Sequence, residues 1–314
     1  MKSKDMMLRA TDKPSANAAV REKTGETGLD DPRNQDEVGE RELLVVSFGT
    51  SYRDNRRLTI GAIEDALERA FPNYAVRRGF TSQVIIDRVK ARDGEVIDNV
   101  NQALKRAAAN GVKTLIVQPT HLMAGLEYGD LVNAMEQYSG MFEHTAIGAP
   151  LLASQADIQA VMQAIVDATA EYDNEETAIC FMGHGTTADS NQVYTQMQQT
   201  LIQAGHTNYF IGTVEASPTL DDVLAMVQQG TYRRVVLLPL MIVAGDHANH
   251  DMAGEEEGSW KSVFEAAGYE VLTVVEGLGQ LQSIQRLFIE HTQRAMDSLK
   301  ESGEVALLKR SSKA

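Results

Sequence analysis

The sequence is poor in cysteine and in basic charge. Cys180 is the only cysteine among 314 residues, which excludes an intramolecular disulfide and a cysteine-based zinc cluster. Basic residues number 29 against 44 acidic ones, giving a formal net charge of −15. A chain this acidic is repelled by a phosphate backbone, so we expect no general binding to nucleic acids.

Long apolar runs are also missing. No stretch approaches the roughly 18–20 residues that cross a membrane, and no apolar core follows the basic start of the chain as in a secretory signal. We therefore expect a cytoplasmic protein with no membrane partner. Residues 1–40 lack aromatic side chains and mix both charge signs with small polar residues, which predicts a disordered tail. We predict a second tail over residues 302–314.

Eight short apolar runs, rich in β-branched residues, alternate with segments of helical periodicity. The predicted strands are Leu43–Phe48, Tyr74–Phe80, Thr114–Gln118, Thr145–Ala149, Ala178–Met182, Tyr209–Val214, Arg234–Leu240 and Val271–Val275. The predicted helices include Ile60–Ala70, Ile97–Ala109, Ile158–Thr169, Tyr194–Ala204 and Leu220–Gln228. This alternation indicates an α/β fold with parallel sheet. We predict two doubly wound halves, over residues 41–172 and 173–301.

An internal repeat relates the two halves. VSFGTS (46–51) corresponds to MGHGTT (182–187), RRGFTSQ (77–83) to IGTVEAS (211–217), and QPTHLMAGLEY (118–128) to LPLMIVAGDHA (238–248). The three blocks occur in the same order in each half. Two sets of four strands argue against a closed eight-stranded barrel, which would have the same number of strands.

The repeat is chemically asymmetric at the strand ends. Corresponding positions carry Phe48, Thr81 and Glu127 in the first half, but His184, Glu215 and His247 in the second. Open α/β sheets bind ligands at the carboxyl ends of their strands, so the second set is expected to converge. Two imidazoles and a carboxylate suit a divalent iron, cobalt or nickel ion. The alternative is two structural histidines and a surface glutamate.

Three arginines, Arg53, Arg56 and Arg57, follow the glycine turn at Gly49 and Thr50. Guanidinium groups and turn N–H groups both suit carboxylates or phosphates, so we assign these five residues to substrate binding. The alternative is a solvated first helical turn. The turns match neither a dinucleotide fingerprint nor a P-loop. We assign no role to the histidines outside the matched positions, His121, His144, His206 and His291, although His121 falls in a block that faces the ligand. His250 follows His247 by three residues, and we expect it either to support the site from outside the ligand set or to be solvated.

Four blocks together resemble the anaerobic sirohydrochlorin cobaltochelatases, which belong to the class II tetrapyrrole chelatases. These blocks are VVSFGTSY, QPTHLMAGLEY, MGHGT and LLPLMIVAGDHANHDMAG, and the resemblance extends over about residues 43–300. It implies two Rossmann-like halves related by a pseudo-twofold, with the tetrapyrrole between them. It also implies metal ligands at His184, Glu215 and His247, with Glu127 as a further catalytic residue. Ala124 departs from the family's NGxEY-like pattern.

The implied reaction is insertion of Co²⁺ into sirohydrochlorin, with loss of two pyrrole protons and no organic cofactor. His184 would act both as a metal ligand and as a catalytic residue. The ligand set also accepts Fe²⁺ or Ni²⁺, so insertion of either metal into the same ring stays open. A non-catalytic carrier of metal or tetrapyrrole is a further alternative, which turnover would exclude. Association of the chain into a homo-oligomer also stays open.

Overall fold

Two four-stranded parallel sheets organise the computed structural model, which describes residues 31–311. The first sheet has the order β2-β1-β3-β4 and consists of β1 (Arg41–Ser47), β2 (Ala75–Phe80), β3 (Thr114–Pro119) and β4 (His144–Ile147). The second has the order β6-β5-β7-β8 and consists of β5 (Thr177–Gly183), β6 (Tyr209–Thr213), β7 (Arg234–Pro239) and β8 (Glu270–Thr273). The predicted α/β class and the two sets of four strands are confirmed.

The central strands are buried on both faces, as their unbroken apolar sequences predict. In β1, Leu43 and Val45 belong to one apolar cluster, while Leu44 and Val46 belong to another on the opposite face. All four side chains are inaccessible to solvent. This alternation follows from the two-residue period of a strand. The strand ends therefore emerge from a rigid core.

Helices connect the strands and cover both sheets. They are α1 (Arg53–Arg56), α2 (Ala62–Ala70), α3 (Gln83–Asp93), α4 (Val100–Ala109), α5 (Leu126–Tyr138), α6 (Gln155–Thr169), α7 (Gln192–Gln203), α8 (Leu220–Val227), α9 (Trp260–Ala266) and α10 (Gln282–Ser311). A π-helical turn, Arg57–Gly61, joins α1 to α2. The predicted helix at residue 97 begins later, because Asn99 and Gln102 form a capping box that starts α4 at Val100.

The last helix of each half packs against the other half. Helix α6 contacts α7, and its Thr169 hydroxyl lies 2.9 Å from the Tyr209 hydroxyl on β6. Helix α10 contacts α2, β3 and β4, and its Thr292 hydroxyl donates to Gln118 Oε1 at 2.9 Å. The predicted boundary between residues 172 and 173 therefore separates the two repeats in the sequence, but it does not separate two independently packed units.

The predicted N-terminal tail is too long. Arg33 is 7% exposed, and its guanidinium donates to Asp65 at 2.6 Å and to Glu68 at 3.2 Å. Its carbonyl accepts from Arg77 Nε at 2.7 Å. These long-range contacts hold part of the predicted tail on the first half; residues 1–30 lie outside the described chain.

At the other end, α10 continues through Ser311, past the predicted tail boundary at residue 302. Residues 312–314 lie outside the described chain. Within residues 31–311, no helix combines the length and the apolar character needed to span a membrane.

Candidate metal centre

Three adjacent strands bring His184, Glu215 and His247 together. His184 follows the central strand β5, Glu215 follows β6, and His247 lies in the loop after β7. One potential ligand atom from each side chain lies within 4.8 Å of the other two. His184 Nδ1 is 3.7 Å from Glu215 Oε2, and the two imidazole centroids are 4.7 Å apart in a T-shaped arrangement. The expected convergence of these three residues at one sheet edge is therefore observed.

The turn that carries His184 depends on its two flanking glycines. A Cβ at Gly183 would collide with the ring of Tyr194, and a Cβ at Gly185 would lie 2.8 Å from the Ala216 nitrogen. Gly185 also has a φ of +88°, a conformation that side chains disfavour. Tyr194 accepts a hydrogen bond from Gly185 N–H at 3.2 Å, and burial raises the pKa of Tyr194 to about 12. The Gly185 N–H is thus hydrogen-bonded to Tyr194, which holds the turn that carries His184 in position.

Each histidine is oriented through its Nδ1 atom. His184 Nδ1 lies 2.9 Å from the Gly185 carbonyl oxygen, and His247 Nδ1 lies 2.8 Å from Asp251 Oδ2. An Nδ1–H that donates to these acceptors leaves Nε2 with its lone pair, as metal coordination requires. The side chains of His184, Glu215 and His247 are 46%, 56% and 34% exposed. An ion can therefore reach them from solvent.

A cavity of about 180 Å³ lies beside this cluster, between the two halves. The first half lines it with Phe48, Gly49, His121 and Glu127, and the second half contributes His184. Glu127 lies in the first turn of α5 and does not belong to the three-residue cluster. Gly49 has a φ of +101°, and a Cβ there would lie 2.6 Å from the Phe80 ring. The cavity therefore joins the metal cluster to the first half.

The prediction that Arg56 binds substrate is wrong. Arg56 is fully buried, its Nη2 donates to Glu95 Oε2 at 2.8 Å, and its Nη1 donates to the Thr50 carbonyl at 3.1 Å. Thr50 is also buried, and its hydroxyl accepts from the Tyr52 N–H at 3.3 Å. The Thr50 hydroxyl is thus used within the loop, and substrate binding by the N–H groups of Gly49 and Thr50 stays a prediction.

The other two arginines lie in different environments. Arg53 is 45% exposed, pairs with Glu95 at 3.3 Å, and lines a second, open cavity of about 690 Å³. Arg57 is half-buried in the π-helical turn and lines neither cavity. Substrate binding by Arg53 and Arg57 stays a prediction.

Two residues of this site lie outside the predicted set. Asp251 orients His247, and its position four residues later in a helical segment was a usable signal. His121 has both ring nitrogens buried, and neither has a hydrogen-bond partner among the described residues. Burial lowers the pKa of His121 to about 4, against an opposing contribution from Glu127. Nothing local in the sequence distinguishes such a histidine from a structural one.

Known proteins with similar sequences are chelatases. The sequence model of the cobalt chelatase (CbiK) family matches residues 41–297. A sirohydrochlorin cobaltochelatase of Salmonella typhimurium is 35% identical over 255 residues, covering 81% of this chain and 96% of the relative. The sirohydrochlorin cobaltochelatase CbiKC of Nitratidesulfovibrio vulgaris is 33% identical over 260 residues, covering 82% and 91%.

Solved structures show the same fold at much lower identity. SirB from Bacillus subtilis with Fe³⁺ superposes with a TM-score of 0.56 at 12% identity, covering 82% of this chain and 97% of SirB. The sirohydrochlorin chelatase SirB from Bacillus subtilis subspecies spizizenii, in complex with cobalt, gives 0.53 at 12% identity, covering 83% and 97%. These likenesses establish the architecture alone.

Proposed function

The chain belongs to the cobalt chelatase (CbiK) family, and we propose that it inserts Co²⁺ into sirohydrochlorin with release of two pyrrole protons. The observation that carries the proposal is the convergence of His184, Glu215 and His247 at one sheet edge, within 4.8 Å. That edge faces the cleft between the halves, where a planar ring can meet a bound ion. We retain a cytoplasmic location as part of the proposal, on sequence grounds.

In this proposal, the three side chains hold the Co²⁺ substrate before it enters the ring. Two imidazole nitrogens and one carboxylate oxygen leave other coordination positions open for the pyrrole nitrogens. Asp251 accepts from His247 Nδ1–H at 2.8 Å, which keeps Nε2 unprotonated and directed to the ion. The partial exposure of all three ligands allows them to release the ion again, as a substrate metal requires.

Proton acceptors are needed as the ion enters the ring. Each pyrrole N–H that is replaced by an N–Co bond loses its proton, and the electron pair stays on nitrogen. We assign this role to the imidazole of His184 once the ion has left it, with Glu127 on the facing wall of the cavity. Glu127 lies outside the ligand cluster, so it can guide the ion or accept a proton without completing the resting site.

The ring is a polycarboxylate, whereas the protein is acidic. Local cations at the cleft must therefore offset the overall repulsion. Arg53 is the best placed of the three predicted arginines because its guanidinium is partly exposed at the wall of the larger cavity. We propose that it contacts a peripheral carboxylate by exchanging its bond with Glu95.

A spectrophotometric assay of metal insertion tests this function. Purified protein would be mixed with metal-free sirohydrochlorin and with Co²⁺, Fe²⁺ or Ni²⁺ at matched free concentrations. We expect catalytic turnover with Co²⁺, and loss of turnover in His184→Ala with an unchanged circular dichroism spectrum. Stoichiometric binding without turnover would refute the enzyme function, and a preference for Fe²⁺ or Ni²⁺ would refute the assignment of the metal.

A further inference from the structure

His121 is a polar group without a polar partner. It lies two residues after the end of β3, and its backbone is held because its carbonyl accepts from the Leu151 N–H at 2.9 Å. Its two ring nitrogens are buried, yet neither forms a hydrogen bond with any residue of the described chain. A buried nitrogen left without a partner lowers the stability of the fold, at a cost in free energy. A bound ligand could remove that cost.

The surroundings of His121 indicate where such a ligand would lie. His121, Glu127 and His184 line the same cavity of about 180 Å³ between the halves. A ring that took the metal from His184 would enter the cavity that His121 also lines.

The internal repeat indicates that the fold does not require a histidine at this position. Met241 corresponds to His121 and lines the same cavity from the second half. A thioether fills such a position without any unpartnered nitrogen. Of these two corresponding positions, only the one in the first half, which faces His184, Glu215 and His247 across the cleft, therefore carries an imidazole that can accept a proton.

We propose that His121 is a catalytic residue that contacts the pyrrole N–H groups of the metal-free ring. Its unprotonated nitrogen accepts a hydrogen bond from a pyrrole N–H. When Co²⁺ enters, that N–H bond breaks, its electron pair becomes a ligand to the metal, and the proton forms a new N–H bond on His121. Glu127 stabilises the resulting imidazolium and passes the proton to water.

The charges around His121 favour this assignment over a contact with a peripheral carboxylate. Burial keeps the imidazole neutral at pH 7, and Glu127 is the charged group that acts on it electrostatically. A second carboxylate beside Glu127 would meet like-charge repulsion, whereas a neutral N–H donor would not. Glu127 also raises the proton affinity of His121, which favours the imidazolium once a proton arrives.

The sharpest test compares two forms of the ring, because metal-free sirohydrochlorin carries pyrrole N–H groups and its cobalt product does not. His121→Met, which introduces the side chain found at the corresponding position of the second half, should weaken binding of the metal-free ring by about 2–10-fold, the value of one hydrogen bond. Its affinity for cobalt-sirohydrochlorin should stay within about twofold, and its kcat should fall by roughly 100-fold, as for loss of a general base. Co²⁺ affinity in the absence of ring should not change.

Two further variants separate the role from a structural one. His121→Gln keeps a hydrogen-bond acceptor but cannot take a proton, so it should retain ring affinity and still lose kcat. Met241→Leu perturbs the same cavity without removing a polar atom, so it should not discriminate between the two rings. Thermal unfolding of each variant checks the fold, and His121→Met should unfold no earlier than the wild type because it removes two unpartnered nitrogens.

The role of His121 rests on the proposed chelatase reaction, and the assay distinguishes the two. Wild-type protein that fails to metallate sirohydrochlorin would refute the reaction itself. If the wild type is active, equal weakening of both rings in His121→Met would overturn the N–H contact and indicate a carboxylate contact instead. An unchanged kcat in His121→Met would overturn the proton-transfer step.

Discussion

Removing the Asp251 carboxylate tests how the metal centre is organised. Asp251 Oδ2 lies 2.8 Å from His247 Nδ1, and the two side chains are 49% and 34% exposed. Loss of such an outer partner typically weakens metal binding 10–100-fold. Because both groups are partly hydrated, water can replace some of the lost interaction. We therefore expect Asp251→Ala to raise the Kd for Co²⁺ by about tenfold, at the low end of that range.

Asp251→Asn sharpens the expectation. The amide oxygen can accept the same hydrogen bond, but a neutral bond is about half as strong as a charge-assisted one, so the loss should be about threefold. Isothermal titration calorimetry with Co²⁺ measures both variants. Glu256→Gln is the matched control, because Glu256 lies 3.7 Å from His250 Nδ1 in a similar pair outside the cluster. Equal Co²⁺ affinities in the wild type and Asp251→Ala would refute the orienting role.

Three further predictions follow from the geometry. Glu127→Ala should slow turnover by more than it weakens Co²⁺ binding in the absence of the ring. His247→Ala removes a proposed ligand and should weaken Co²⁺ binding by more than roughly 100-fold. Calorimetry and turnover are measured on both variants, and equal losses of Co²⁺ affinity would contradict this prediction. Arg56→Ala should lower the free energy of unfolding by about 1–3 kcal/mol in a denaturant titration, because it removes a buried guanidinium and leaves the Thr50 carbonyl without its donor. Arg53→Ala should instead raise KM for the ring and leave both stability and cobalt dependence unchanged. Burial raises the pKa of Glu42 to about 7, so the neutral carboxyl stabilises the fold at low pH and this contribution is lost as pH rises through about 7. Glu42→Gln should therefore be more stable than the wild type at pH 8 but not at pH 4. Identical differences in Tm between the two proteins at both pH values would contradict this.

Much of the fold follows from local pattern. Runs such as 178–182 are apolar on both faces, as expected of a parallel strand covered on both sides, and every predicted strand is present. The convergence of the three candidate ligands was predictable for a related reason. Parallel strands end at the same sheet edge, so residues far apart in sequence converge when each follows a strand. His184, Glu215 and His247 meet this condition.

Errors arose where the outcome depends on distant partners. The spacing of Arg53, Arg56 and Arg57 shows a cluster of charge but not which side chain turns inward. Arg56 is buried because it meets Glu95, 39 residues later. Arg33 is held by carboxylates 32 and 35 residues away, which no local composition reveals. Helical periodicity likewise does not predict that α6 and α10 each pack against the opposite half, because it identifies the buried face of a helix but not the sheet that covers this face.

The packing of α6 and α10 against opposite halves bears directly on how the cleft works. Each half is tied to the other through buried bonds, including the pair between Thr169 and Tyr209 and the pair between Thr292 and Gln118. By packing, each of these two helices therefore belongs to the half opposite its own sequence. By contrast, the Asp246 carboxylate beside His247 bridges the halves through exposed bonds to Tyr52 and Arg88, at 3.0 Å and 2.8 Å.

Exposed pairs of this kind contribute little stability, so they can break and re-form at low cost. The exposed bridge from Asp246 to the first half can therefore open when a ring enters, while β5 and the turn at Gly183 and Gly185 keep His184 in place. In the proposed site, His184 follows a rigid core strand, whereas His247 lies beside this exposed bridge. That arrangement suits a site proposed to hold an ion first and then release it to a ring, because the bridge can open without any change in the two sheets.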